Sequence, residues 1–309
     1  MDETKEPAAG DFPRTFAWGA ACVSCKTVLP PLRDTASLFF ENGSVPCPKC
    51  GNGVDVWEVT KNEIRTYFGT FIGLGGLGAN QTVFMFDLAP GQIKSLDFTE
   101  QGVPPSAVVV SVVYTAQGSG CFPIEMHSNE ARSRSYKPMA SVYGASLGNN
   151  PGPVKIAVLV TWIDELEEPE SWTMLADAFQ AATDNRFSRV VVPAYSAFEV
   201  SVGRLIRELL LNVTSKESVE EFMVRDLSAA SAVNVLVPFI CRTLGVKDLP
   251  DDIRGRLTRL RRLRNKAVHE GLRDVDVNKN EIGELLCAAV FGFEFVRYTR
   301  KKLSEQRSA

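Results

Sequence analysis

The hydrophobic pattern of this chain changes abruptly after an acidic segment near residue 165, and this change limits the folds available to it. Before the segment, β-branched and aromatic runs alternate with clusters of glycine, proline, asparagine and serine; after it, apolar residues recur at helical spacing. Strands and helices place side chains with periods of about 2 and 3.6 residues, so one pattern cannot serve both. In 309 residues, this predicts a multidomain α+β protein.

The part of the chain from 59 to 166 is predicted to form a central antiparallel β-sandwich. Its strand-like runs lie at 83–86, 108–114 and 154–162, and turn-forming residues bound each of them. Short strands at regular spacing between turns are typical of sandwich domains. We expect this domain to be a sensor or targeting domain. Its expected ligand is a trigger molecule, either a protein or a nucleic acid.

The remaining chain, 171–309, is predicted to form an all-α bundle. Its apolar residues recur every three or four positions, as in Ile253, Leu257 and Leu260. This spacing gives each helix one buried stripe. The expected helices lie at about 172–183, 188–212, 216–240, 251–269 and 278–303, with the third broken near Asp226.

Four cysteines near the amino terminus have the spacing of zinc-ribbon ligands. Two C-x2-C pairs are separated by 21 residues, and Gly51 after the second pair suits the positive-φ turn of a metal-binding knuckle. We predict a structural zinc ion in a ribbon at 15–58, after a flexible tail at 1–14. The ribbon could act as a recognition module or as a brace for the sheet domain. The predicted ligands are Cys22, Cys25, Cys47 and Cys50.

Composition and charge exclude several functional classes. The net charge is −3, so a nucleic-acid site must be a local patch. No run reaches the ~18 apolar residues of a membrane span, and the acidic first residues lack the apolar core of a secretory signal. We therefore expect a cytoplasmic protein with no membrane partner. In that compartment the scattered cysteines are expected to be buried as small hydrophobic side chains; they are Cys121, Cys241 and Cys287.

A glycine-rich segment, Gly73 to Gly78, matches the G-x-G-x-x-G pattern of dinucleotide-binding loops. Such a site needs a helix directly after the loop, because the phosphate binds at the helix N-terminus. The residues that follow here, 80–86, have a strand pattern. We interpret the segment as a loop without a nucleotide.

The helix predicted at 251–269 is strongly cationic. From Arg254 to Lys266, seven of thirteen residues are arginine or lysine and none is acidic. An unrelieved run of this kind concentrates positive potential and favours a polyanion. The alternative is neutralisation by acids of neighbouring segments, such as Glu220, Glu221 or the acidic linker. The predicted RNA-binding residues are Arg254, Arg261, Arg262 and Lys266.

The same helix ends in the motif Arg264-Asn265-x3-His269-x-Gly271. Arginine binds phosphate through a planar fork, and histidine transfers protons near neutral pH. Arg264 and His269 lie about 140° apart around an α-helix. They can therefore act together only where both edges border one cleft, or where a second chain supplies half of the site.

This motif resembles the signature of HEPN domains, and the segment 194–199, Ala-Tyr-Ser-Ala-Phe-Glu, is similar to the second helix of that all-α family. The resemblance covers about 171–303. It implies a metal-independent endoribonuclease of a defence or toxin-type system, regulated by the amino-terminal half. It also implies a homodimer, formed through the helical domain, in which two motifs line one cleft.

The resemblance further implies transesterification, in which the RNA 2′-hydroxyl attacks its own phosphate and leaves a 2′,3′-cyclic phosphate. His269 would transfer the proton, Arg264 would stabilise the transition state, and Asn265 would orient His269 or a phosphate oxygen. Some HEPN-like domains do not catalyse, so a binding or dimerisation module with a ligand-sensing β domain stays open. A DNA-binding ribbon is disfavoured, because few basic residues surround the knuckles.

Overall fold

The computed structural model describes residues 21–66, 75, 77–89, 92–117, 124–128, 139–144, 154–163, 168–225, 227–272 and 275–308. In chain order the elements are α1 (Leu32–Asn42), β1 (Val45–Pro46), β2 (Gly53–Val54), α2 (Val56–Thr66), β3 (Asn80–Leu88), β4 (Ile93–Asp97), a 3-10 turn (Phe98–Gln101), β5 (Val108–Gln117), β6 (Ile124–Ser128), β7 (Met139–Gly144), β8 (Val154–Ile163), α3 (Pro169–Thr183), α4 (Phe187–Leu210), α5 (Lys216–Arg225), α6 (Ala229–Ser231), a π-helical turn (Ala232–Leu236), α7 (Val237–Thr243), α8 (Asp251–His269) and α9 (Lys279–Ser308).

The chain divides into two compact units, and the division differs from the predicted boundaries. The β unit comprises Ala79–Pro169, whereas the described segments on either side of it together form the helical unit. The cysteine-rich segment therefore belongs to the same unit as the C-terminal helices. The predicted tail at 1–14 and most of the acidic linker lie outside the described residues.

The β unit contains two antiparallel sheets of three strands each, with strand orders β3-β8-β5 and β4-β7-β6. The strand-like runs predicted from sequence lie within β3, β5 and β8. Both sheets contribute to one buried cluster, which includes Leu96 of β4 and Ile156, Val158 and Val160 of β8. The chain is thus a mixed α+β protein with small antiparallel sheets and C-terminal helices.

Helix α9 is the central helix of the helical unit. It packs against α1, α2, α4 and α8, and its phenylalanines Phe291, Phe293 and Phe295 are almost fully buried. A helix that is apolar on several faces must be surrounded by other elements. The predicted fourth helix has the bounds of α8, and the predicted break in the third helix separates α5 from α6.

Aromatic side chains attach the cysteine-rich segment to this helix. Phe39 of α1 and Trp57 of α2 both meet Phe291 edge to face, with ring centroids 5.3 and 5.1 Å apart. The indole Nε1 of Trp57 also donates to Asp252 Oδ2 at 2.8 Å. Edge-to-face ring geometry and the burial of aromatic surface both stabilise the packing of Phe39 and Trp57 on Phe291. Residues 59–66, which the sequence placed in the β-sandwich, are therefore part of a helix that packs on α9. Among the described residues, no helix has the length and apolar run required for a transmembrane segment.

We expect Gly292→Val to destabilise the helical unit by about 3 kcal/mol, because added core volume cannot be relieved in a close-packed interior. A Cβ at Gly292 would lie 2.9 Å from Phe198 Cδ2 and 3.0 Å from Leu257 Cδ1. Urea denaturation measures the change. Gly255→Val is the matched control, because a Cβ at Gly255 meets nothing within 4 Å; equal losses in the two variants would contradict the prediction.

Candidate metal centre and cationic helix

The four predicted cysteine ligands converge on one point. All four Sγ atoms lie within 4.8 Å of one another, with Cys22 and Cys50 separated by 3.7 Å and Cys25 and Cys47 by 3.5 Å. Zn–S bonds of about 2.3 Å in a tetrahedron place sulfur atoms about 3.8 Å apart. The cluster can therefore hold a metal ion such as zinc.

The two C-x2-C pairs form matching knuckles. The amide of Lys26 donates to the Cys22 carbonyl at 2.8 Å, and the amide of Gly51 donates to the Cys47 carbonyl at 2.9 Å. Lys26 and Gly51 both have left-handed φ angles, 59° and 73°. Glycine adopts this conformation without steric cost, as the sequence indicated for Gly51. The first knuckle makes the same turn with a lysine.

The cysteines of the chain differ in chemical character. The hydrogen-bonded Thr27 hydroxyl, 3.2 Å from Cys25 Sγ, lowers the pKa of the Cys25 thiol to about 6, which favours the thiolate that metals bind. Cys241 and Cys287 are buried, as predicted, and burial raises the pKa of Cys241 to about 12. Cys121 lies outside the described residues.

Four of the six arginines of α8 are paired with acids, although not with Glu220 or Glu221. These four arginines form five ion pairs: Arg254 with Asp248, Arg256 with Asp252 and Glu284, Arg259 with Glu281, and Arg264 with Glu199. Glu220 and Glu221 instead pair with Arg207 and Arg225. Arg254, a predicted RNA-binding residue, is thus engaged by Asp248 and also donates to the Leu249 carbonyl.

The other predicted RNA-binding cations keep their charge unpaired. Within the described ranges, Arg261, Arg262 and Lys266 have no acidic partner. Arg262, Lys266 and His269 are exposed and follow the spacing i, i+4 and i+7, which places them on one side of α8. We call Arg262, Lys266 and His269 the cationic face. In the described part of the chain, His269 has no hydrogen-bond partner.

Arg264 lies apart from the cationic face, turned towards α4. Its side chain is 29% exposed, its Nη2 donates to Glu199 Oε2 at 3.0 Å, and its Nη1 donates to Asn265 Oδ1 at 3.1 Å. Its Nε is buried and has no partner among the described residues. Asn265 therefore contacts Arg264, and its predicted role of orienting His269 or a phosphate oxygen stays a prediction. A single chain brings Arg264 together with Asn265 and Glu199, but not with His269.

The sequence did not single out Tyr195 as a site residue, although the charges of Glu199 and Arg264 act on it. Tyr195 precedes Glu199 by four residues, so the two share one side of α4. Tyr195 is only 2% exposed, and burial, reinforced by the charge of Glu199, raises its pKa to about 12. Its four-residue spacing from an acid was the signal available in the sequence.

No protein-family model, curated protein or solved structure matches this chain. The likeness of 171–303 to HEPN domains stays a prediction from the motif and from the order of the helices. The pairing of Arg264 with α4 and the exposure of His269 are the structural facts that bear on function.

Proposed function

We propose that this chain is a metal-independent endoribonuclease whose C-terminal helices form a HEPN-like domain. Arg264, Asn265 and His269 of α8 act on the RNA, while the β unit, as a sandwich, senses the trigger in a defence or toxin-type system. The observation that carries the proposal is the cationic face, which combines an exposed imidazole with two cations that have no acidic partner among the described residues. Unpaired cations around a histidine suit a phosphodiester.

The proposed reaction is transesterification within the RNA. The 2′-hydroxyl oxygen bonds to the adjacent phosphorus, the bond to the 5′-oxygen breaks, and a 2′,3′-cyclic phosphate and a 5′-hydroxyl form. The 2′-hydroxyl loses its proton and the leaving 5′-oxygen gains one; His269 carries out one of these two transfers, as base or as acid, and Arg264 stabilises the negative charge that develops on the phosphoryl oxygens. Because Arg264 and His269 point away from each other on one helix, a complete site takes one residue from each protomer of a homodimer.

We further propose that the cysteine cluster holds zinc in a structural role. Four thiolates complete a tetrahedral shell and leave no position for a substrate or a reactive water. Bound there, the ion would join the two knuckles and support the contact of α1 and α2 with α9.

The proposed activity is tested by incubating the purified chain with transfer RNA and total RNA in EDTA and mapping the product ends. We expect cleavage that persists in the chelator and leaves 2′,3′-cyclic phosphate ends, with no products from His269→Ala. Products with 3′-hydroxyl ends, or cleavage that stops in EDTA while the chain stays folded, would contradict the mechanism. Because chelation also threatens the cysteine site, zinc content and circular dichroism are measured in the same buffer.

One observation favours a second function, a helical binding module without catalysis. Arg264 is already engaged by Glu199 and Asn265, so its role could be to hold α8 against α4. On this hypothesis the cationic face binds RNA or an acidic protein and releases it unchanged. Stable RNA binding without any product, by a dimeric and folded protein, would favour this alternative.

We expect Arg262→Ala/Lys266→Ala to weaken binding of single-stranded RNA and to reduce the salt slope of log K by about 1.4, because each lost phosphate contact removes about 0.7. Binding is measured by fluorescence anisotropy on the His269→Ala background, so that the RNA stays intact. Arg254→Ala/Arg259→Ala is the matched control, since it removes the same charge from cations that already have acidic partners. Equal slopes in the two double variants would show that the cationic face does not contact phosphate.

A further inference from the structure

A groove of about 300 Å³ lies between α4, α5 and the π-helical turn, on the side of α4 that carries Tyr195 and Glu199. Its walls are mostly apolar and include Val202, Met223, Leu227 and Val233. Its volume is within the range of small-molecule sites, which are typically apolar with a few polar groups that set specificity. A π-helical turn in the wall is also a frequent feature of functional sites.

The polar groups of the groove are Tyr195 and Glu199. Tyr195 is almost wholly buried, yet its hydroxyl has no hydrogen-bond partner in the described part of the chain. Its oxygen is not among the fully buried polar atoms that lack a partner, so it is accessible from the groove and can donate to a ligand or an ordered water. Glu199 accepts from Arg264 through Oε2, and Oε1 has no partner among the described residues. The groove therefore offers one hydroxyl donor and one carboxylate acceptor.

This pair of groups selects among planar ligands. A carboxylate accepts hydrogen bonds only, and it can receive two neighbouring N–H groups. Among the RNA bases, guanine presents two adjacent N–H groups, at N1 and N2, beside an acceptor at O6. Adenine and cytosine present a single amino group there, and uracil presents a single ring N–H. Glu199 can therefore match the two donors of guanine, one at Oε1 and one at the second lone pair of Oε2, while the Tyr195 hydroxyl can donate to O6. Unstacked bases of single-stranded RNA are commonly read in this way, on their Watson–Crick edges.

The surroundings of the groove also suit a nucleotide. A second, smaller cavity shares Tyr195 and Val233 with it and is lined by Arg261. Arg261 has no acidic partner within the described residues, so it is available to a phosphate next to the bound base. Arg264, which is paired with Glu199, belongs to the proposed cleavage site.

We propose that the groove between α4, α5 and the π-helical turn binds a guanine base of the RNA, with Tyr195 and Glu199 reading its Watson–Crick edge. This inference rests on the proposed ribonuclease function and assigns it a base preference: cleavage occurs beside guanosine.

The test measures binding separately from cleavage. Calorimetry compares the 3′-monophosphates of guanosine, adenosine, cytidine and uridine on the full-length His269→Ala protein, and oligonucleotides with one central G or A then test the base within RNA. We expect guanosine monophosphate and the G oligonucleotide to bind most tightly, and Tyr195→Phe to weaken both about tenfold. Binding that does not depend on the base would overturn the inference. If guanosine monophosphate binds and the G oligonucleotide does not, the groove is a site for a free nucleotide. That result would also reject an RNA base as the occupant.

A blocking variant completes the test. Gly203 lines the groove, and a Cβ there lies 3.6 Å from Met223 Cε, an ordinary contact. Gly203→Leu should therefore fold and fill the groove, with loss of guanosine binding. Gly255→Leu is the matched control in another helix, where a Cβ meets nothing within 4 Å; it should bind as the parent does. Unchanged binding in Gly203→Leu would place the base elsewhere and reject the inference.

The same variants distinguish failure of the inference from failure of the proposed function. If the wild type cleaves RNA without a preference for guanosine, and Gly203→Leu cleaves equally, the ribonuclease stands and the groove proposal fails. If guanosine and the G oligonucleotide bind in the groove but no RNA is cleaved, the groove proposal stands and the ribonuclease fails.

Discussion

His269→Ala will reduce RNA cleavage about 1,000-fold while it leaves the fold unchanged, because a positioned acid or base typically contributes 10²- to 10⁴-fold to a reaction. His269 is exposed at the end of α8, and within the described chain it makes no hydrogen bond that its removal would break. The substitution should lower kcat, because the imidazole would act in the proton-transfer step. Single-turnover cleavage at several RNA concentrations separates the rate from the affinity.

Lys266→Ala is the matched control for this prediction. Lys266 is exposed on the same side of α8 as His269 and can contribute charge to RNA binding, but it has no role in proton transfer. Its loss should raise KM and leave kcat nearly unchanged. Cleavage by His269→Ala at the wild-type rate, with the same product ends, would show that the activity has another source or that another residue moves the proton.

Cys47→Ser will release the metal and destabilise the helical unit by about 4 kcal/mol, because metal binding to a site that exists only in the folded chain contributes directly to folding. Cys47 Sγ lies 3.5 Å from Cys25 Sγ, and serine does not supply the soft thiolate that the site needs. The effect should extend beyond the knuckles, since α1 and α2 follow them directly and pack on α9. Metal analysis and thermal unfolding measure the two parts of the prediction.

The control for the cysteine site is Ser24→Ala in the first knuckle. Ser24 is exposed, and its Oγ accepts a hydrogen bond from the Asn52 side chain at 3.2 Å, so its loss should cost little and keep the metal. Wild-type protein that contains no bound metal after purification in zinc-supplemented medium would contradict the zinc assignment. Equal stability of Cys47→Ser and Ser24→Ala would show that the ion does not support the fold.

Local features of this protein were readable from its sequence, because they depend on neighbours a few residues away. The bounds of α8 follow from its apolar spacing, and the left-handed turn at Gly51 follows from the knuckle pattern. The convergence of the four cysteines follows from their spacing, since two C-x2-C pairs present thiolates to one ion. The strand that the sequence indicated after the glycine-rich segment is present as β3.

Only the tertiary structure decided which acid pairs with each arginine of α8. Arg259 pairs with an acid 22 residues away and Arg264 with one 65 residues away, distances at which sequence spacing carries no geometric information. Sequence spacing therefore did not identify Glu281 and Glu284 as acids that pair with α8. The helix α2 was missed for a related reason: its buried side depends on Trp57 meeting Phe291 of a helix more than two hundred residues later. The periodicity of the sequence determined β3, β5, β8 and the C-terminal helices, whereas packing of distant segments decided which charges of α8 are paired, because an ion pair depends on proximity in space.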